Sequence, residues 1–204
     1  MRLYVHPENP GLRHIQIIKE CLLDGGIIIY PTDTIYGLGC NIFHHSAVER
    51  ICRIKNIDPK KAQLSFICND LSHLSQYTKQ ISTPLYRILK HYLPGPFTFI
   101  LPASKEVPGL LQTKKKTIGL RIPANPIPLC ITAALGHPLL SASLPGADVA
   151  DYTDPDTIED RFENLVDIIV DGGPGGIVPS AIIDATSEKI VVVREGPLPF
   201  YDAD

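Results

Sequence analysis

The sequence contains no tryptophan and a single methionine among its 204 residues. No apolar run approaches the ~20 residues that a membrane-spanning helix needs. Residues 1–10 (MRLYVHPENP) lack the apolar core of a secretory signal, and a cytoplasmic location is expected. Five cysteines, Cys21, Cys40, Cys52, Cys68 and Cys130, are odd in number, scattered and without C-x-x-C spacing. They read as reduced thiols in the core rather than as disulfides or zinc ligands. Neither G-x-x-x-x-G-K-[ST] nor G-x-G-x-x-G occurs, so any nucleotide is held without a P-loop or a Rossmann turn. There is no G-x-S-x-G elbow to present a nucleophilic serine. His44-His45 lacks the spaced partners of a metal site and reads as a surface pair. No catalytic nucleophile and no metal ligand is assigned.

What is present is an ordinary globular composition, 44% hydrophobic and 20% charged, with 19 prolines to fix turns. The length suffices for one large core. Net charge is −3, but it is unevenly spread. Residues 50–121 hold 13 of the 19 Lys and Arg and three of the 22 acids, a surplus of ten positive charges. The remainder stands at −13. Such a split suits a polyanion, either nucleotide phosphates or nucleic acid; a solvated lysine face is the competing reading.

The chain is organised around Gly25–Gly39 (GGIIIYPTDTIYGLG). Ile27 to Tyr30 has the continuous apolar character of a strand covered on both faces. Pro31 ends it, because proline cannot donate to a sheet ladder. Thr32, Asp33, Thr34 and Tyr36 follow in a hydroxyl-rich loop, at the kind of strand end where α/β proteins bind ligands. Further strands are expected at 3–5, 64–68, 97–101, 117–122, 138–144, 166–170, 181–185 and 190–194. Helices are expected at 12–23, from Ser46 as N-cap to Ile54, at 72–76, from Ser82 to near Pro94, at 126–135 and at 157–164. The alternation predicts one α/β domain over residues 1–204. Its sheet is twisted, open and mixed, partly parallel, and flanked by helices.

Several polar residues stand out on this frame. Arg121 lies in an apolar strand, where a guanidinium is costly unless it meets an anion or a core acid. Ser141 and Ser143, two apart on a strand, share a face. Gly172–Gly176 (GGPGG), followed by Pro179-Ser180, either closes round a phosphate or makes a tight hairpin. Arg194 ends the last strand.

Five segments in this order resemble the YrdC/YciO family: GGIIIYPTDTIYGLGC, PGPFTFIL, TIGLRIP, PLLSAS and DGGPGGIVPSAIID. The likeness spans about residues 12–197 and is nearest the YciO branch through Glu49–Ile54 and Val191–Gly196. It implies a YrdC-like fold and a nucleotidyltransferase of the threonylcarbamoyl-AMP synthase type. Such enzymes condense L-threonine, bicarbonate and ATP, with Mg as a companion of ATP, for tRNA threonylcarbamoyladenosine modification. The resemblance implies that Thr32, Tyr36, Arg121 and Ser180 bind the substrate. It implies that Lys55, Thr117, Ser141, Ser143 and Arg194 bind the nucleotide. It also implies a double-stranded RNA or tRNA partner, for which Lys114, Lys115 and Lys116 are the candidate contacts, and no membrane. The alternative within the YciO branch is a non-catalytic RNA-binding or RNA-processing protein.

The sequence departs from the synthases at four places. Ile57 stands where an arginine is expected, Gln63-Leu64-Ser65 replaces a Pro-Leu ending, Ser143-Leu144-Pro145 replaces Ser-Ala-Asn and loses its asparagine, and Asn125 replaces a histidine. Losing one hydrogen bond from a charged group costs on the order of 1.5–3 kcal/mol, so weakened ATP chemistry is expected.

Overall fold

A computed structural model describes residues 1–58, 64–111, 115–146 and 152–201. Strand β1 (Arg2–Tyr4) precedes helix α1 (Leu12–Leu23), which buries Ile15, Ile18 and Leu22 at helical spacing. Gly25, at φ +83°, turns the chain out of the helix. Strand β2 (Ile27–Tyr30) is buried along its whole length, as its composition predicts.

The next element is a correction. Residues 37–41, for which the sequence predicts no strand, form strand β3 (Gly37–Asn41), also wholly buried. Helix α2 (His45–Ile54) follows, and its N-cap is His44 rather than Ser46. The Ser46 hydroxyl instead lies 3.2 Å from the His44 ring. Strand β4 (Ser65–Ile67), helix α3 (Leu71–Gln76) and helix α4 (Thr83–Tyr92) come next. Asp70 and Ser82 cap the two helices by accepting from backbone N–H groups. Strands β5 (Phe97–Pro102) and β6 (Thr117–Arg121) lead to helix α5 (Pro126–Leu135), capped by Asn125 and closed by left-handed Gly136. Strand β7 (Leu139–Ser143), helix α6 (Pro155–Phe162) and strands β8 (Ile168–Asp171), β9 (Ala181–Asp184) and β10 (Val191–Arg194) complete the chain.

The strands form one open sheet in the order β1-β8-β2-β3-β7-β4-β6-β5-β9-β10. Pairs β1/β8, β2/β8, β4/β6 and β5/β9 are parallel, and the others antiparallel. This is the mixed, partly parallel α/β domain the sequence predicts. The glycine-rich segment between β8 and β9 is not a hairpin, because those strands occupy the second and ninth places in the sheet.

Strand register sorts the side chains onto two faces. Ile27, Cys40, Leu140, Phe66, Leu120, Phe99 and Ile183 occupy paired positions across seven strands and share one face. They belong to the larger apolar core, with Ala47, Val48 and Ile51 of α2, Leu74 of α3, Leu89 of α4 and Phe162 of α6. The opposite face is covered over only part of its area. There α1 and α5 pack on Ile28, Tyr30, Ile67, Leu139, Ile168 and Val170. Among the described residues no helix is long and apolar enough to cross a membrane.

Candidate functional site

The uncovered part of that second face is built from small and polar residues. Register places Gly39, Ser141, Ser65 and Gly119 side by side across β3, β7, β4 and β6. Gly37 and Ser143 form the next row. The absence of bulk here is enforced on both sides. A Cβ on Gly39 would stand 2.8 Å from the Tyr30 ring and 2.9 Å from the Leu140 carbonyl oxygen. A Cβ on Gly119 would meet the Ser65 Cβ at 3.2 Å and the Thr98 methyl at 3.4 Å. The result is a shallow floor of backbone, hydroxyls and glycine, suited to a polar ligand lying against the sheet.

A roof crosses this floor. Four strand intervals separate β2 from β6, a span of roughly 19 Å. The loop after β2 nevertheless reaches Arg121 at the end of β6. Arg121 Nη2 donates to Asp33 Oδ1 and, at 3.0 Å, to the Thr34 hydroxyl. The Arg121 side chain is 8% exposed and that of Asp33 11%. Burial of a guanidinium is tolerable here because the acid is supplied with it. From Arg121 the hydrogen bonds continue as a relay. The Thr34 and Thr32 hydroxyls lie 3.0 Å apart, and Thr32 donates to the Ile35 carbonyl at 2.7 Å. Thr32 Oγ1 also accepts from the Thr34 N–H at 3.0 Å. Thr32 thus uses its one donor and both acceptor positions within its own loop.

Tyr36 has a similar supporting place. Its hydroxyl donates to the Gly173 carbonyl at 2.7 Å and accepts from the Gly172 N–H at 3.3 Å. Burial pushes its pKa up to about 12. The Gly176 N–H donates to the Thr34 carbonyl at 2.6 Å, so the glycine-rich segment backs the hydroxyl loop. A Cβ on Gly176 would approach that carbonyl oxygen to 2.3 Å, which explains the glycine.

Cations flank the floor. At one end the Lys55 ammonium donates to the Ser143 carbonyl at 2.5 Å and lies 3.3 Å from its hydroxyl. Burial lowers the Lys55 pKa. Toward the other end Arg194 donates twice to the Ser180 carbonyl, at 3.1 and 2.8 Å. Burial lowers the Arg194 pKa, and the charge of Arg121 adds to the effect, so these two guanidiniums face one region. The Ser180 and Thr98 hydroxyls are 2.9 Å apart and buried. Ser141 is buried and takes a 2.6 Å hydrogen bond from the Tyr30 hydroxyl.

The sequence-derived set therefore meets on one face in the case of Lys55, Ser141, Ser143, Arg121, Ser180 and Arg194. Thr117 shares that face but sits at the far end of β6, about 13 Å from Arg121 by strand rise. Lys114 lies outside the described residues. Lys115 and Lys116 are exposed at the start of β6. Among the described residues of the 50–121 segment the cations do not all share one surface: Arg50 pairs with Asp167, while Lys55 and Arg121 turn inward. Ser65, Thr98 and Gly119 join the site without having been candidates on sequence grounds. Asp33 and Thr34 stand in the hydroxyl-rich loop, which carried a signal; Ser65 and Gly119 carry none apart from strand pairing.

Fold and site together define an open α/β domain with a cation-flanked cleft on one sheet face. The chain belongs to the Sua5/YciO/YrdC family, described as telomere recombination, which matches residues 20–196. It is 47% identical to YciO of Escherichia coli over 196 residues, 95% of this chain and 94% of that protein. The crystal structure of E. coli YciO superposes with a TM-score of 0.89, covering 97% and 96% of the two chains. A threonylcarbamoyl-AMP synthase of Coxiella burnetii is 32% identical over 173 residues, 84% of this chain and 92% of that one. The Sua5 structure from P. abyssi complexed with L-threonine gives a TM-score of 0.86 at 28% identity, covering 98% of this chain and 58% of that one.

Proposed function

We propose that the protein condenses L-threonine, bicarbonate and ATP to threonylcarbamoyl-AMP, the activated donor for tRNA threonylcarbamoyladenosine. The observation that carries this reading is the convergence of Lys55, Arg121 and Arg194 on a floor of serine and glycine. In the proposed sequence the threonine amine adds to the bicarbonate carbon with loss of water to give the N-carboxylate (carbamate) of threonine. An oxygen of that carbamate then attacks the α-phosphorus of ATP as the bond to pyrophosphate breaks. Negative charge builds on the phosphoryl oxygens, where fixed cations and N–H groups stabilise it. Three small reactants must be aligned, and the roof over the floor supplies enclosure. No protein nucleophile is required. Magnesium enters on the phosphates of ATP. The test is threonine- and bicarbonate-dependent pyrophosphate release by purified protein. Release no faster than that of an Arg121→Ala variant would reject the reading.

A second reading, binding of double-stranded RNA or tRNA, draws on a separate feature. Exposed Lys115 and Lys116 precede β6, and Ala103 donates to the Lys116 carbonyl at 2.8 Å. Exposed Lys79 donates its backbone N–H to Pro102 beside them. This small basic tip suits phosphate contacts, whose strength falls with salt. Replacing Lys79, Lys115 and Lys116 together by glutamate should weaken tRNA binding and flatten its salt dependence. Unchanged binding removes the tip from consideration.

A further inference from the structure

Tyr30, the last residue of β2, is fully buried and belongs to the apolar core under α1 and α5. Its phenol oxygen nevertheless reaches out of that core. Strand β3 separates β2 from β7, which places the two about 10 Å apart. The tyrosine ring crosses β3 and donates its hydroxyl proton to Ser141 Oγ at 2.6 Å. Two glycines of β3 clear its path. A Cβ on Gly39 would stand 2.8 Å from the ring, and one on Gly37 would lie 3.1 Å from the ring and 3.2 Å from the hydroxyl oxygen. Glycine inside a strand lowers stability, so this crossing is kept at some expense to the fold. A phenylalanine would fill the same apolar space. What the tyrosine adds is the hydrogen bond to Ser141.

Counting protons fixes what that bond does. A serine hydroxyl has one proton and two acceptor positions. A buried phenol has to place its proton, and Ser141 Oγ is where Tyr30 places it. Burial raises the Tyr30 pKa, so the phenol stays protonated through the neutral range and remains a donor. With one acceptor position of Ser141 Oγ filled, the serine's own proton points elsewhere, and no described residue accepts it. Ser141 stands in the floor between Gly39 and Ser65, so that proton is offered to the cleft. Hydrogen bonds in series strengthen one another, which makes Ser141 a better donor. We propose that Tyr30 is a positioning residue: by donating to Ser141 it fixes that serine as a hydrogen-bond donor to a phosphate oxygen of a nucleotide in the cleft. The ligand class rests on the ATP reading of the site; the donor role of Ser141 rests on the hydrogen bonding alone. An anionic oxygen suits a floor bounded by Lys55, Arg121 and Arg194.

The test is a double-mutant cycle on the intact protein, with ATP as the probe and calorimetric titration as the measurement. Tyr30→Phe keeps the ring over both glycines and removes only the oxygen. It should weaken ATP binding by about threefold to tenfold. Ser141→Ala should weaken it by about tenfold, the size expected of one hydrogen bond to a charged group. The double variant should bind ATP as weakly as Ser141→Ala and no more weakly, because Tyr30 acts only through that hydroxyl. Losses that add in the double variant overturn the proposal, as does absence of ATP binding by wild type. Unchanged ATP affinity in Tyr30→Phe also overturns it, and a lowered melting temperature beside that unchanged affinity marks the hydroxyl as purely structural. Should Ser141→Ala fail to fold, Tyr30→Phe decides alone. Pyrophosphate release is measured separately. ATP binding that follows the cycle without any release would defeat the synthase reading and leave the role of Tyr30 standing. Full release and full ATP affinity in Tyr30→Phe would do the reverse.

Discussion

Lys55, at the C-terminal end of α2, donates its ammonium to the carbonyl of Ser143, the last residue of β7, at 2.5 Å. Among the described residues it has no carboxylate partner. A partly buried cation held only by neutral oxygens is poised for an incoming anion, and it lowers stability while it waits.

Lys55→Met should therefore melt no lower than wild type yet bind ATP about tenfold or more weakly, in line with removal of a charged hydrogen bond. Calorimetric titration beside a thermal melt measures both. Weaker ATP binding with an equal loss of stability would mean that Lys55 is structural. The pH dependence has a defined sign. Burial holds the Lys55 pKa below its ordinary value of 10.5 in the folded protein. Between that lowered value and 10.5 the unfolded chain binds more protons, so this residue makes stability rise with pH. Over the same window ATP affinity should fall, because the ammonium is losing its charge.

Gly119 tests the floor. Its missing side chain keeps the sheet surface between Ser65 and Thr98 low, and an added methyl would crowd both at 3.2 and 3.4 Å. Gly119→Ala should cost about 1 kcal/mol of stability or less, because a strand glycine is itself unfavourable. It should weaken ligand binding more than that, by projecting a methyl into the cleft. Gly109, with open space around it, serves as the control; its alanine variant should change neither property. Equal effects at the two glycines would refute the placement of the floor.

How far the sequence foretold these features depends on which forces set them. Helix α1, strand β2 and helix α5 were legible to the residue, since local apolar spacing and caps decide them. Strand β3 was not, because Gly37 and Gly39 argue for a turn. Its glycines exist so that the Tyr30 ring can lie across them toward Ser141. Only the pairing with β2 and β7 reveals that. Arg121 was legible as a charge in need of an acid. Its partner was not, since Asp33 lies 88 residues away across four strand intervals. Asn125, a departure from the synthase pattern, proves to cap α5 by accepting from Ile127 at 3.0 Å.

Tyr36 ties the hydroxyl loop to the glycine-rich segment through two hydrogen bonds of one oxygen. Tyr36→Phe strands the Gly172 N–H and the Gly173 carbonyl, and should cost about 1–3 kcal/mol in urea unfolding. Amide exchange at residues 172–176 should quicken more than exchange in β2. The tyrosine pKa is raised from 10 to about 12 in the folded protein. The stability it contributes is therefore present below pH 10 and is lost as pH rises toward 12. A phenylalanine variant that matches wild type in both measurements would show that the glycine-rich segment is held by other contacts.

His73 governs the acid side. It is buried in α3, with Nδ1 2.8 Å from the Asn69 side-chain oxygen and Nε2 without a partner among the described residues. Burial lowers its pKa from the ordinary 6.5, and His137 adds to this, while Asp70 opposes it. The folded protein thus holds the ring neutral at pH values where the unfolded chain protonates it. The stability tied to His73 is fully present above pH 6.5 and is lost as pH falls through the lowered folded value. Thermal melts between about pH 8 and pH 5 should show a decline that His73→Phe makes shallower. That variant should also be less stable at about pH 8, because the Asn69 side chain loses its partner. An unaltered slope would assign the acid sensitivity to groups other than His73.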